Sequence, residues 1–137
     1  MFVEQLMQSD LHTVSNDGTV LDALELMTKY GIRHVPIVEA DKLVGMVSER
    51  DVLMFCEPNG GGEMEVSNPR ARLDVPVAEI MSPFPACVKT TDDVVAAIEK
   101  IISLNVGALP VLSETDELVG ILSYVDILQE SLKYFTS

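Results

Sequence analysis

Two short polar figures of one type recur in this sequence, Ser48 and Asp51 in "MVSERDVL" and Ser123 and Asp126 in "ILSYVDIL". A serine followed three residues later by an aspartate, behind a short apolar run, predicts a helix N-terminus. The hydroxyl accepts from a first-turn amide there, and the carboxylate returns a bond to the serine amide. The same geometry suits a nucleotide: free amides and the positive end of the helix dipole attract phosphate, and a carboxylate accepts two hydrogen bonds from a vicinal diol. On the tetrad alone, cap and ligand site are both open and mutually compatible.

Cations that would assist an anion are scarce. Lys and Arg number 9 against 22 Asp and Glu, a formal charge of −13. That field repels a polyanion, so polymeric nucleic acid and acidic membrane surfaces are excluded as partners. A small anion binds only where local basic groups or backbone amides overturn the field. Arg33 and His34, just ahead of Pro36, are the strongest such exception, because Arg clamps phosphate bidentately and a nearby phosphate would favour the charged imidazole. The bland alternative pairs Arg33 with a surface acid such as Glu39 or Asp41, worth about 0–1 kcal/mol. Arg50, inside the first tetrad, is a further candidate, with a solvated first-turn side chain as its ordinary state.

Catalytic chemistry has no foothold in the motifs. There is no Walker loop, no H-E-x-x-H, and no Cys–His or Ser–His pairing at a recognisable spacing. "NGGGE" is a glycine run without the following Lys-Ser or Lys-Thr. Cys56 and Cys87 lack C-x-x-C partners, which argues against zinc and against a disulfide framework. An enzyme is not expected. No apolar run approaches the roughly 20 residues that cross a bilayer, and "MFVEQLMQSD" carries acids where a signal peptide carries basic residues. A soluble, cytoplasmic protein is expected.

The elements that position these residues come from an internal duplication. At an offset of 74, Val3 falls on Val77, Met7 on Met81, Val14 on Val88, Ala23 on Ala97 and Pro36 on Pro110. One extra residue in "SETDE" shifts the offset to 75, and Gly45, Ser48, Asp51 and Leu53 then meet Gly120, Ser123, Asp126 and Leu128. The reading divides the chain into a first repeat (1–56), a linker (57–75) and a second repeat (76–137). Copies of about 55 residues are marginal alone and should pack as one module. Within a copy, "HTVS" reads as a short strand and "TVLDALELMTKY" as a helix capped by Thr19 and ended by Gly31. "RHVPIV" and "KLVGMVS" read as an antiparallel hairpin turning at "EAD", and a second helix follows Ser48. The expected fold is therefore α+β, built of tandem strand-helix-strand-strand-helix repeats.

That order, together with the paired signatures "GIRHVPIVEADKLVGMVSERDVL" and "NVGALPVLSETDELVGILSYVDIL", resembles the cystathionine β-synthase (CBS) domain family. The likeness covers essentially the whole chain and looks like a stand-alone tandem pair, often called a Bateman module. It implies repeats packed with pseudo-twofold symmetry and two clefts that in many relatives bind adenine nucleotides. By that resemblance, Ser48 and Ser123 would contact phosphate while Asp51 and Asp126 grip ribose hydroxyls. Adenine would lie along Thr13-Val14 and Val35-Pro36 in the first site, and along Cys87-Val88 and Leu109-Pro110 in the second.

The resemblance makes the expected function regulatory. An adenine nucleotide (AMP, ADP or ATP, with or without Mg²⁺) would act as ligand rather than catalytic cofactor, altering the repeats or a dimer and so a downstream protein. S-adenosylmethionine and cyclic dinucleotides stay open as ligands, and a scaffold with vestigial clefts is the alternative. His12 lies where an imidazole could meet a base, although a lone histidine is more often simply a partly exposed polar residue. The second site departs from the first, since Gly107-Ala108 replaces Arg33-His34 and Cys87 replaces Thr13. A nucleotide there would rely on backbone amides and Asp126, with Lys89 as a possible helper, so this site should be weaker, adenosine-selective or empty. Finally, in "YVDILQESLKYF" the residues Leu128, Leu132 and Phe135 form one stripe and Tyr124, Ile127 and Tyr134 another. One face suffices for the core, so a homodimer is expected.

Overall fold

The computed structural model describes residues 1–56 and 73–136. Most of the expected linker, 57–72 with its glycine run, lies outside the described residues. The chain forms two compact units, Met1–Leu11 with Pro85–Ser137 and His12–Phe84. Each has its own sheet, and the architecture is α+β. No described helix is long and apolar enough to cross a membrane.

In the unit His12–Phe84, β1 (Val14–Ser15) leads to α1 (Val20–Tyr30), then to the hairpin of β2 (His34–Glu39) and β3 (Lys42–Ser48), and to α2 (Glu49–Cys56). The expected element order holds. Thr19 caps α1 with its hydroxyl accepting from the Asp22 amide at 3.2 Å, and Asp22 accepts from the Thr19 amide at 2.9 Å. Gly31 ends the helix at φ 64°, a left-handed conformation that glycine adopts without a Cβ penalty. β1 runs parallel to β2, which pairs antiparallel with β3. The turn falls on Ala40 and Asp41, both at positive φ. Two left-handed residues match the twist of a tight two-residue hairpin, here built without glycine.

The unit Met1–Leu11 with Pro85–Ser137 repeats the plan with β5 (Val88–Lys89), α3 (Val94–Leu104), β6 (Ala108–Leu112), β7 (Leu118–Ser123) and α4 (Tyr124–Phe135). Asp93 caps α3 through the Val95 amide at 2.8 Å, and Asn105 at φ 54° takes the place of Gly31. Asn is the other residue that tolerates this conformation, which is why a glycine-free helix end still closes.

What the repeat pattern did not reveal is where each copy's lead-in goes. The fourth strand, β4 (Ser82–Pro83), belongs to the second copy by sequence but pairs antiparallel with β3 of the first, Ser82 opposite Met46. Reciprocally, Gln8 of the first copy bridges Ile121 in β7 of the second. The cores follow the same exchange. Val77 is fully buried among Val14, Val20, Met27, Ile37 and Val52, and Val3 is fully buried among Val88, Ala97, Leu109 and Leu122. Burying one such valine is worth about 1.5–3 kcal/mol, so the exchange is driven by the same force as the rest of the core.

The glycines shared by the repeats make room for these lead-ins. A Cβ on Gly120 would stand 2.6 Å from Met7 Sδ and 2.9 Å from the Gln8 carbonyl oxygen, and one on Gly45 would strike the Met81 side chain. Both positions admit a crossing segment at close range, with backbone in the way of a larger residue at Gly120 and a methionine side chain at Gly45.

Candidate functional site

The first Ser-x-x-Asp figure is a closed capping box. Ser48 Oγ accepts from the Asp51 amide at 3.1 Å, and Asp51 Oδ2 accepts from the Ser48 amide at 2.8 Å. The β2–β3 register sets His34 opposite Ser48. The Arg33 carbonyl accepts from the Glu49 amide at 2.8 Å, which fixes the start of β2 against the start of α2. The fold thus gathers Arg33, His34, Ser48 and Asp51, four residues separated by up to 18 positions, at one end of the hairpin. Arg33 and Arg50 are exposed, and Ser48, Asp51 and His34 are half-buried.

Burial pushes the His34 imidazole below its ordinary pKa. The Asp51 carboxylate pulls the other way, Arg33 adds to the lowering, and Glu49 opposes it. A neutral imidazole beside an exposed guanidinium can hydrogen-bond a phosphate, and the arriving dianion would draw a proton onto it. Val35 and Pro36 are fully buried.

Thr13 and Val14 lie at the start of β1, which runs parallel to β2 with Val14 opposite Ile37. They line a concavity of about 580 Å³ with Ser15, Asp17, Asp22, Glu25 and Lys29, between β1 and the face of α1. His12 stacks on Tyr30 with ring centroids 3.6 Å apart at 15°. Its aromatic face therefore already has a partner within the chain.

In the second copy, Ala108 takes the place of His34 opposite Ser123, and the Gly107 carbonyl accepts from the Tyr124 amide at 3.0 Å. Ser123 and Asp126 form a tighter figure. Asp126 Oδ2 accepts from both the amide and the hydroxyl of Ser123 at 2.9 Å, while Ser123 Oγ accepts from the Asp126 amide at 3.2 Å. The other carboxylate oxygen accepts from Gln8 Nε2 at 3.0 Å, and Asp126 is only 8% exposed. Leu109, Pro110 and Val88 are buried.

Lys89, the possible helper, has partners of its own. Its ammonium donates to the Ser113 carbonyl at 3.3 Å and pairs with Asp116, tying it to the β6–β7 turn. A second basic group at this copy's first strand is Lys100, half-buried on α3, whose ammonium donates to the Cys87 carbonyl at 3.0 Å. Burial raises the Cys87 thiol pKa, and Lys100 and Lys89 oppose that rise, so Cys87 stays a neutral thiol whose Sγ donates to the Pro85 carbonyl. Lys100 and Gln8 both escaped the sequence reading. Lys100 aligns with Leu26 and Gln8 with Ser82 at the 74-residue offset, so the differences were visible, but not what they touch.

Comparison with known proteins fits this arrangement. The profile of the CBS domain matches residues 3–57 and again 77–133. A CBS domain-containing protein of Dictyostelium discoideum is 30% identical over 139 residues, covering 97% of this chain and 92% of that protein. Protein MJ1225 of Methanocaldococcus jannaschii, put forward as an archaeal homologue of γ-AMPK, superposes with a TM-score of 0.84 at 27% identity, covering 98% of this chain and 51% of that one. CBSX2 of Arabidopsis thaliana, in its crystal structure with AMP, superposes with a TM-score of 0.77 at 26% identity and 97% coverage of both chains. Other curated relatives are longer, and this chain spans 45% and 23% of two of them.

Proposed function

The chain belongs to the CBS domain family, and from that premise we propose that it is a regulatory module, not a catalyst, that binds an adenine nucleotide at its first Ser-x-x-Asp site. The observation that carries this is the convergence of Arg33 and His34 with Ser48 and Asp51 at one hairpin end, in a chain whose net charge would otherwise repel the ligand. Arg33 and His34 would meet phosphate, and Asp51 Oδ1 would accept the ribose diol while Oδ2 keeps the cap. AMP bound to CBSX2, a relative of this fold and length, supports the ligand class. A nucleotide regulates only if it binds one arrangement of the protein better than another.

Thermal melting with AMP, ADP or ATP tests the reading. Ligand at 100 times its dissociation constant stabilises the fold by about 2.7 kcal/mol, and Asp51→Ala is expected to abolish that shift. The competing reading is an interaction scaffold, favoured by the fact that both tetrads already satisfy themselves as capping boxes. Absence of a shift with all three nucleotides would support it.

The assembly proposed is a homodimer through α4. Ile127 packs on the core, whereas Leu128 and Leu132 are each 58% exposed and Phe135 is 83% exposed. An apolar stripe of that kind is costly in water and suits a second copy. Light scattering at micromolar concentration should give twice the mass of the chain, and Leu128→Glu with Leu132→Glu should return it to one.

A further inference from the structure

We infer that Gln8 is the residue that closes the second Ser-x-x-Asp site, its amide occupying the carboxylate position a ribose diol would need. The inference rests on the nucleotide-binding reading and goes beyond it by assigning the inequality of the two sites to one side chain. Asp126 has one oxygen committed to Ser123 twice over and the other held by Gln8 Nε2. A carboxylate only accepts, so the amide must present its NH₂ there and delivers a donor where a sugar hydroxyl would deliver one. The Ser123 hydroxyl proton is spent as well, because it points at Asp126 Oδ2.

The location of Gln8 makes this a gate on a single side chain. Its backbone is fixed by reciprocal bonds with Ile121, 2.8 Å from its amide to the Ile121 carbonyl and 2.9 Å in return. Ile121 precedes Ser123 by two residues in β7, so Gln8 is anchored beside the figure it closes. Gln8 is itself exposed while Asp126 is buried. Rotation of its side chain alone would uncover the carboxylate without disturbing the bridge. At the equivalent position of the other unit, Ser82 pairs with Met46, two residues before Ser48. A serine hydroxyl on that backbone is two heavy atoms shorter than a glutamine amide. The reciprocal lead-ins therefore set one site closed and one open.

Titration calorimetry of AMP into the full chain tests the assignment. Wild type is expected to take one AMP per chain and Gln8→Ser two, with Gln8→Ser plus Asp126→Ala returning to one. Ser82→Gln should transfer the block, weakening the first site roughly tenfold to hundredfold, the range expected when a hydrogen bond to a charged group must be broken first. The assignment is overturned if wild type already takes two AMP with Asp126→Ala removing one. It is also overturned if Gln8→Ser, folded by its melting curve, binds as wild type does, or if AMP binds to none of these chains. AMP binding to none of these chains overturns the nucleotide reading and this inference together, whereas one AMP on wild type with no gain on Gln8→Ser overturns this inference alone.

Discussion

The two Ser-x-x-Asp figures share a motif, a strand register and a helix cap, yet they differ in what surrounds the carboxylate. Around Asp51 stand a half-buried imidazole and an exposed guanidinium. Around Asp126 stand an alanine, a tighter serine and the amide of Gln8. A motif therefore specifies a helix start, while the function of that start is set by residues arriving from elsewhere in the chain. Among the described residues Asp51 accepts only from the Ser48 amide, whereas both oxygens of Asp126 are engaged within the protein.

The largest effect that can break this comparison is on ligand affinity. Asp51→Ala should weaken AMP binding about 100-fold, as expected for losing two hydrogen bonds to a charged acceptor, while Asp126→Ala should change it less than about threefold. Asp51→Ala loses a cap worth about 1 kcal/mol, and Asp126→Ala also loses the bonds from the Ser123 hydroxyl and Gln8, so urea melts should show the larger stability loss at Asp126 and calorimetry the larger affinity loss at Asp51. Equal losses of affinity would show the two figures to be equivalent.

Next in size is the packing of the lead-ins. Gly120→Ala places a methyl against the Gln8 backbone as well as Met7, whereas Gly45→Ala meets only the flexible end of Met81 among its nearest contacts. Overpacking against backbone costs about 1–3 kcal/mol, and a thioether that can turn aside should keep the Gly45 variant below about 1 kcal/mol. Denaturant midpoints check both. A larger loss at Gly45 would contradict the account.

The smallest effect is protonic. Because burial lowers the folded-state pKa of His34, the unfolded chain binds more protons there between that lowered value and about 6.5. Stability should fall as pH drops through this window, by no more than about 1.4 kcal/mol per pH unit. His34→Asn should flatten that slope, and the Ala108 position offers no counterpart. Histidine ring shifts followed by NMR sharpen the point further. Saturating AMP should move the His34 titration upward if phosphate lies against it, and leave it unchanged if phosphate lies elsewhere.

Much of this was legible in the residues. Thr19 and Gly31 bounded α1 because a cap and a left-handed terminus are local chemistry, and the short apolar runs of β2 and β3 on either side of "EAD" marked a hairpin because buried strands read as continuous apolar runs bounded by a turn. The self-alignment carried Ser48 onto Ser123 and Asp51 onto Asp126 without any structure. What Lys89 touches was not legible, because its ammonium could reach several acceptors and pairs with the carboxylate of Asp116 across a turn.

By itself, then, the sequence determined the element order, the duplication, the two helix caps and the absence of Arg33-His34 from the second copy, since each depends on neighbours within a few residues. Only the tertiary structure decided that Val3 and Val77 exchange cores, that β4 joins the first copy's sheet, and that Gln8 reaches Asp126 across 118 positions. The physical reason is that burial is non-directional and indifferent to chain distance. A lead-in with one good valine and a glycine-sized gap to cross can pack on either copy. Which copy it chooses fixes whether Gln8 or Ser82 lies beside each carboxylate.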